Sequence, residues 1–267
     1  MSLSRLSAVA LRQFYLIRGS VSRVLPLFAW VAVDMVLWGF IARYLDSVTS
    51  PGFDFITTML GAVLLWDFFT RVMQGVTMAF FEDVWSRNFL NFFATPLRIS
   101  EYLGGLVVSS VATSSVGLAV MLALSTLVFG LSFFSYGLIM LPILLVLFVF
   151  GIALGILGAA IVLRWGPAAE WFIWPIPAMV APFAGVFYPI SILPRWMRVV
   201  SRALPPAYVF ECLRALAAGK STTLGGLCLG AFLAVIDVAL ACWVFARTYR
   251  YAVRTGLIAR YSAETVS

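Results

Sequence analysis

The sequence predicts an all-α integral membrane protein with six transmembrane helices and both termini on the cytoplasmic side. It adds an N-terminal interfacial amphipathic helix, a short cytoplasmic helix between spans 2 and 3, and a re-entrant amphipathic hairpin between spans 5 and 6. Three observations predict this. Of the 267 residues, 63% are hydrophobic and only 11% charged, against about 45–50% and about 25% in a soluble domain. Mean hydropathy is +1.04. Six stretches each supply the roughly 20 apolar residues, at about 1.5 Å rise each, that cover a hydrocarbon core. The run Leu138 to Leu163 holds no charge at all.

The elements follow in order. Residues 1–23 read as a helix lying on the membrane surface. Arg5, Arg12 and Arg23 fall on one face, and Leu3, Leu6, Ala10, Phe14, Ile17 and Val21 on the other, which is the pattern of an interfacial helix whose basic side meets head groups. With Arg5, Arg12, Arg18 and Arg23 spread through it, the segment does not read as a cleavable signal peptide. The membrane domain is expected over 24–247. Its spans lie near Val24–Tyr44, Phe55–Phe81, Leu103–Phe129, Gly137–Leu163, Trp171–Tyr188 and Leu224–Ala246. Pro175, Pro177 and Pro182 should kink or break the fifth. A basic tail, 248–267, follows.

Net charge is +7, and Lys220 is the single lysine among 18 basic residues. Arginine flanking apolar spans belongs among anionic head groups rather than on nucleic acid, so no nucleic-acid partner is expected. Arg5, Arg12, Arg18, Arg23, Arg87, Arg98, Arg164, Arg247, Arg250, Arg254 and Arg260 share one side. Arg43, Arg195, Arg198, Arg202, Arg214 and Lys220 take the other. The larger group marks the cytoplasm. Histidine is absent, which removes the commonest general base and metal ligand. Cys212, Cys228 and Cys242 form no CxxC pair, and Cys228 and Cys242 read as small core residues. No catalytic residues are assigned.

Four groups of residues could carry function. Between spans 2 and 3, Glu82–Leu97 reads as a short amphipathic helix: Trp85, Phe89, Phe92 and Phe93 on one face, Asp83, Arg87, Asn88 and Asn91 on the other, stopped at Thr95-Pro96. So aromatic a face should dock on lipid, on its own bundle or on a partner. Between spans 5 and 6, Tyr188–Leu216 carries Pro189, Pro194, Trp196 and the breaker Pro205-Pro206, then Glu211 and Arg214 at i, i+3 spacing that suits an ion pair. Within the spans, Asp67 and Arg71 are placed to pair along one helix face, whereas Asp34 and Asp237 have no obvious local partner. Small residues at Gly151/Gly155 and Gly226/Gly230 mark close helix contacts. Gly219-Lys220-Ser221-Thr222 imitates a phosphate-binding loop, but Arg214 stands where the first glycine is required, and no strand precedes it.

These residues resemble the six-helix permease subunit of type-2 ABC exporters. Ala94-Thr95-Pro96-Leu97 with Glu101-Tyr102-Leu103 is similar to that family's coupling-helix region. Gly185-Val-Phe-Tyr-Pro189 with Leu193-Pro194-Arg195-Trp196 resembles the stretch after its fifth span. Leu204-Pro205-Pro206-Ala207-Tyr208 with Glu211 and Arg214 resembles its P-x-x-x-x-x-E-x-x-R motif. The resemblance implies a bacterial inner-membrane exporter without chemistry of its own. Its coupling helix would sit on a separate ATP-binding subunit, present in two copies and holding the Mg-ATP. Two permeases would form a homodimer whose seam, mainly the first, second and fifth spans, is the substrate path. The coupling region here is more aromatic than is common in that family. Cargo is left open; aromatic lining suits an amphipathic or lipid-linked molecule. A stand-alone ion-coupled secondary transporter using Asp34 and Asp237 is the alternative.

Overall fold

A computed structural model describes residues 2–19, 21–48, 56–86, 92, 95–130, 137–219 and 224–257. Among them the chain is all helical: α1 (Leu3–Arg18), α2 (Val21–Val48), α3 (Gly61–Trp85), α4 (Ile99–Phe129), α5 (Met140–Trp165), α6 (Glu170–Ile173), α7 (Ile176–Ala184), α8 (Arg195–Arg202), α9 (Pro205–Ala217) and α10 (Leu224–Arg254). A π-helical turn, Ile56–Leu60, leads into α3. Apolar segments fold this way because, without water to bond the backbone, an element must satisfy its own N–H and C=O groups.

Among the described residues three helices are long and apolar enough to cross a bilayer: Ile99–Phe129, Gly137–Trp165 and Leu224–Arg254. Of the other three expected spans, α2 has 28 residues and carries a single charge, Asp34, between Val24 and Ile41. Helix α3 carries Asp67, Arg71, Glu82 and Asp83. The fifth breaks at Trp174-Pro175, as its prolines predict, leaving the 14-residue stretch Trp171–Ala184, about 21 Å of helix. The expected boundaries at 23/24 and 247/248 fall inside α2 and α10, which run through them.

Helix α3 sits at the centre, with Phe69, Val72, Met73, Val76, Thr77 and Phe80 all fully buried. Helix α5 packs on it through glycines. A Cβ on Gly151 would stand 2.9 Å from the Val72 Cβ, on Gly155 2.8 Å from the Val76 Cβ, and on Gly158 2.6 Å from the Thr77 Oγ1. The Thr77 hydroxyl donates across this contact to the Gly155 carbonyl at 3.0 Å. The second small-residue pair works elsewhere and more loosely. Gly230 faces Tyr208 of α9, with a hypothetical Cβ at 3.1 Å, and Gly226 leaves 3.8 Å to the same ring.

The region after the fifth segment differs in its two halves. Helix α8 is amphipathic as read, and its Trp196 and Val199 are exposed. Helix α9 is instead part of the core: Pro205, Pro206, Val209, Phe210 and Leu213 are buried, and Phe210 lies near Trp66 of α3. Glu211 and Arg214 pair at 3.1 Å as their spacing predicts. They also close the turn: the Arg214 guanidinium donates to the Gly185 carbonyl at 2.6 Å, and Glu211 accepts from the Ile190 N–H at 3.0 Å. Gly185 takes φ +64, a left-handed conformation in which a side chain is strained. Cys228 and Cys242, expected in the core, are exposed on α10, while Cys212 is buried.

The glycine contacts make a differential prediction. Gly155→Val should overpack α3 and cost about 1–3 kcal/mol, lowering the midpoint of thermal unfolding in detergent. Gly226→Ala should leave that midpoint near its original value.

Candidate functional site

Two constellations of polar side chains stand out, and α3 contributes to both. The first lies where α1 meets α3 and α4. Asp83, in the last turn of α3, is buried. Arg12 of α1 donates to both of its oxygens, at 3.1 and 2.6 Å, and the Tyr102 hydroxyl donates to Oδ2 at 2.7 Å. A charge so deeply buried is stable only when its lone pairs are met this fully. One pair of turns along α1, Arg5 reaches Glu101 at 3.4 Å. Glu101 also accepts the backbone N–H of Ser2 at 2.7 Å and of Arg98 at 3.1 Å, the latter closing a capping box at the start of α4. Gly105 gives α1 its close approach: a Cβ there would meet Val9 and lie 3.2 Å from the Leu6 carbonyl oxygen.

This corrects the expected orientation of the N-terminal helix. Its Arg5 and Arg12 face is turned to the protein, not to head groups, while Leu3, Leu11, Phe14 and Tyr15 are exposed. The long-range acids outcompete water for the arginines, and the exposed apolar face is left for lipid.

Glu82 to Trp85 belong to α3 rather than to a separate helix, so Asp83 is part of the bundle and Trp85 is exposed at the helix end. Phe92 is half-buried. The Arg12 guanidinium stands 4.9 Å over its ring, and the Tyr102 ring is 5.3 Å away. Phe92, Thr95, Pro96 and Leu97 form one wall of a cleft of about 310 Å³ whose other wall is α1. Arg87, Asn88, Phe89, Asn91 and Phe93 lie outside the described residues.

The second constellation is a cavity of about 480 Å³ between α2, α3 and the break after α6. Trp30 and Asp34 line it from α2, Asp67, Thr70, Arg71 and Gln74 from α3, and Trp174 from the break. Arg71 Nε donates to Asp67 Oδ2 at 2.7 Å, the i, i+4 pair that the spacing predicts. Gly117 of α4 makes room for the arginine stem; a Cβ there would stand 3.3 Å from its Cδ. Asp34 makes no hydrogen bond or salt bridge among the described residues. The cavity therefore collects Asp34, Asp67 and Arg71 but not Asp237. That aspartate lies on α10 with its Oδ2 buried and without a hydrogen-bond partner among the described residues. Pro189, Pro194, Trp196, Pro205, Pro206, Glu211 and Arg214 serve the turn-and-hairpin region and do not line the cavity.

Sequence reasoning missed Trp30, Gln74 and Trp174 as cavity walls, and it missed the pairing of Arg12 with Asp83 and of Arg5 with Glu101. The signal for the pairs was present: two arginines seven residues apart on one helix, and two acids at the ends of apolar runs assigned to the same side of the membrane.

No protein-family model matches the chain, and no curated protein matches it. The fold and its apolar helices define an all-helical membrane protein.

The first constellation yields a graded prediction. Arg12→Ala, which strips a buried carboxylate of its bidentate partner, should cost about 2–3 kcal/mol and expose α1 to limited proteolysis. Arg5→Ala, at a half-exposed site whose acid keeps two backbone donors, should cost under about 1 kcal/mol and leave α1 resistant.

Proposed function

We propose that this chain is the permease subunit of a type-2 ABC exporter in a bacterial inner membrane. In this reading α2, α3, α4, α5, the broken α6–α7 segment and α10 are six crossings, with both termini cytoplasmic. The observation that carries the reading is the composition of the cavity. It is framed by the first, second and fifth apolar segments, the three that the family resemblance makes the seam of a homodimer and the path of its cargo. Polar side chains at that depth are costly in lipid and belong in a solute path.

The cytoplasmic constellation supports the second half of the reading. Phe92, Thr95, Pro96 and Leu97 face α1 across the cleft, and Phe92 is held near the foot of α3 through Arg12 and Tyr102. An ATP-binding subunit pushing on the 82–97 region would move α3 and α1 together. Because α3 also carries Asp67 and Arg71, nucleotide-driven closure would reach the cavity along one helix. Alternating access then arises as a population shift between two packings of the paired permeases. The chain makes and breaks no covalent bond in this scheme; the partner hydrolyses Mg-ATP. The Asp237 oxygen that has no hydrogen-bond partner among the described residues favours the ion-coupled secondary transporter as the second reading.

The test is coupling. Purified from its native membrane with the ATPase it retains, and reconstituted in lipid vesicles, the complex should show ATP-dependent solute movement. Phe89, Phe92 and Phe93 changed together to Ala should keep the fold and the basal ATPase but lose transport. Ion-gradient-driven transport by this chain alone, or unimpaired coupling in the triple variant, would refute the proposal.

A further inference from the structure

We propose that the cavity between α2, α3 and the break after α6 binds a monovalent organic cation with an apolar body, with Asp34 as its counter-charge. That such a cation is exported cargo rests on the exporter reading; that it binds does not.

Charge, geometry and size each point to this class. The cavity is lined by two carboxylates and one guanidinium. Arg71 is already committed to Asp67 at 2.7 Å, and its stem is lodged against Gly117. Those two charges therefore offset one another. One negative charge is left over, on a side chain with no hydrogen bond or salt bridge among the described residues. An anion is disfavoured, because Arg71, the one cationic group among the described lining residues, is paired with Asp67. A neutral solute would leave the carboxylate uncompensated at a depth where unpaired charge is expensive.

Trp30 lies four residues before Asp34 on the same helix, one turn away, and Trp174 lines the cavity from the broken segment. Indole faces attract a cation within about 6 Å and bury apolar surface at the same time. Indoles beside an uncompensated carboxylate make a surface that selects positive charge on a greasy frame, in preference to a hydrated metal ion. Thr70 and Gln74, on the α3 wall with Asp67 and Arg71, add hydrogen-bonding groups for a polar substituent. The volume of about 480 Å³ falls inside the roughly 300–1,000 Å³ range of small-molecule sites.

The test uses two ions of one shape and opposite sign. The purified full-length chain, in an uncharged maltoside detergent, is dialysed to equilibrium against radiolabelled tetraphenylphosphonium, with tetraphenylborate as the anionic counterpart. Saturable phosphonium binding is expected, without saturable binding of the borate. Asp34→Asn should weaken phosphonium binding by about tenfold or more, and Asp34→Glu should stay within about threefold of the original. Trp30→Leu should weaken it about fivefold through loss of the indole face. Binding in Asp34→Asn equal to that of the unmodified chain would overturn the proposal, as would borate bound as tightly as phosphonium. Should Asp34→Asn not purify as a monodisperse protein, the Trp30→Leu result and the phosphonium/borate comparison decide alone. Binding is read without nucleotide or ATPase, so loss of the probe site would leave the exporter reading standing. Failure of ATPase coupling would equally leave the binding result intact.

Discussion

The contact on which the rest of the structure depends is the glycine-lined approach of α5 to α3. Lipid gives apolar helices no reason to prefer one another over the solvent; association rests on close backbone contact and hydrogen bonds between helices. Gly151, Gly155 and Gly158 supply the first and Thr77 the second. The result is a central helix whose middle is fully buried and whose rotation about its own axis is fixed. Everything polar on α3 inherits that rotation: Asp67, Thr70, Arg71 and Gln74 open to the cavity, while Asp83, at the helix end, meets Arg12 and Tyr102.

Helix α3 thereby joins two sites. Sixteen residues separate Asp67 from Asp83, about 24 Å of helix. A helix that is buried over its middle transmits displacement as a rod, since a close-packed core does not deform continuously. At one end it shares a cavity wall with two other apolar segments. At the other it is tied to an N-terminal helix whose outer face is left apolar. The N-terminal helix is held by side chains rather than by bulk burial: among its described residues only Val9 and Gln13 are buried. Its position therefore depends most on Arg12 and the buried Asp83 it meets.

What the sequence revealed was whatever is local. Long apolar runs gave the helices, the prolines of the fifth segment gave its break at Trp174-Pro175, and i, i+3 and i, i+4 spacings gave the Glu211–Arg214 and Asp67–Arg71 pairs. What it hid was whatever depends on two distant segments meeting. Arg12 and Asp83 are 71 positions apart and Arg5 and Glu101 are 96 apart, so helical periodicity could place the arginines on one face without saying what that face meets. The same limit put Cys228 and Cys242 in the core, since an apolar helix in lipid shows little asymmetry to mark its inner side. The cavity escaped notice for a third reason: Trp30 and Trp174 are ordinary residues for a membrane helix, and only their convergence on Asp34 distinguishes them.

The central claim is that the cavity of Asp34, Asp67 and Arg71 is a water-accessible path and not a polar flaw sealed in lipid. Substituted-cysteine labelling tests it most directly. In a background with Cys212, Cys228 and Cys242 replaced by Ala, single cysteines are placed at Asp34, at Gln74 and at Phe232, an exposed apolar position on α10. In native membranes the account predicts reaction of Asp34→Cys and Gln74→Cys with a charged, membrane-impermeant methanethiosulfonate, while Phe232→Cys stays inert. Cavity cysteines as unreactive as the one at Phe232 would contradict it.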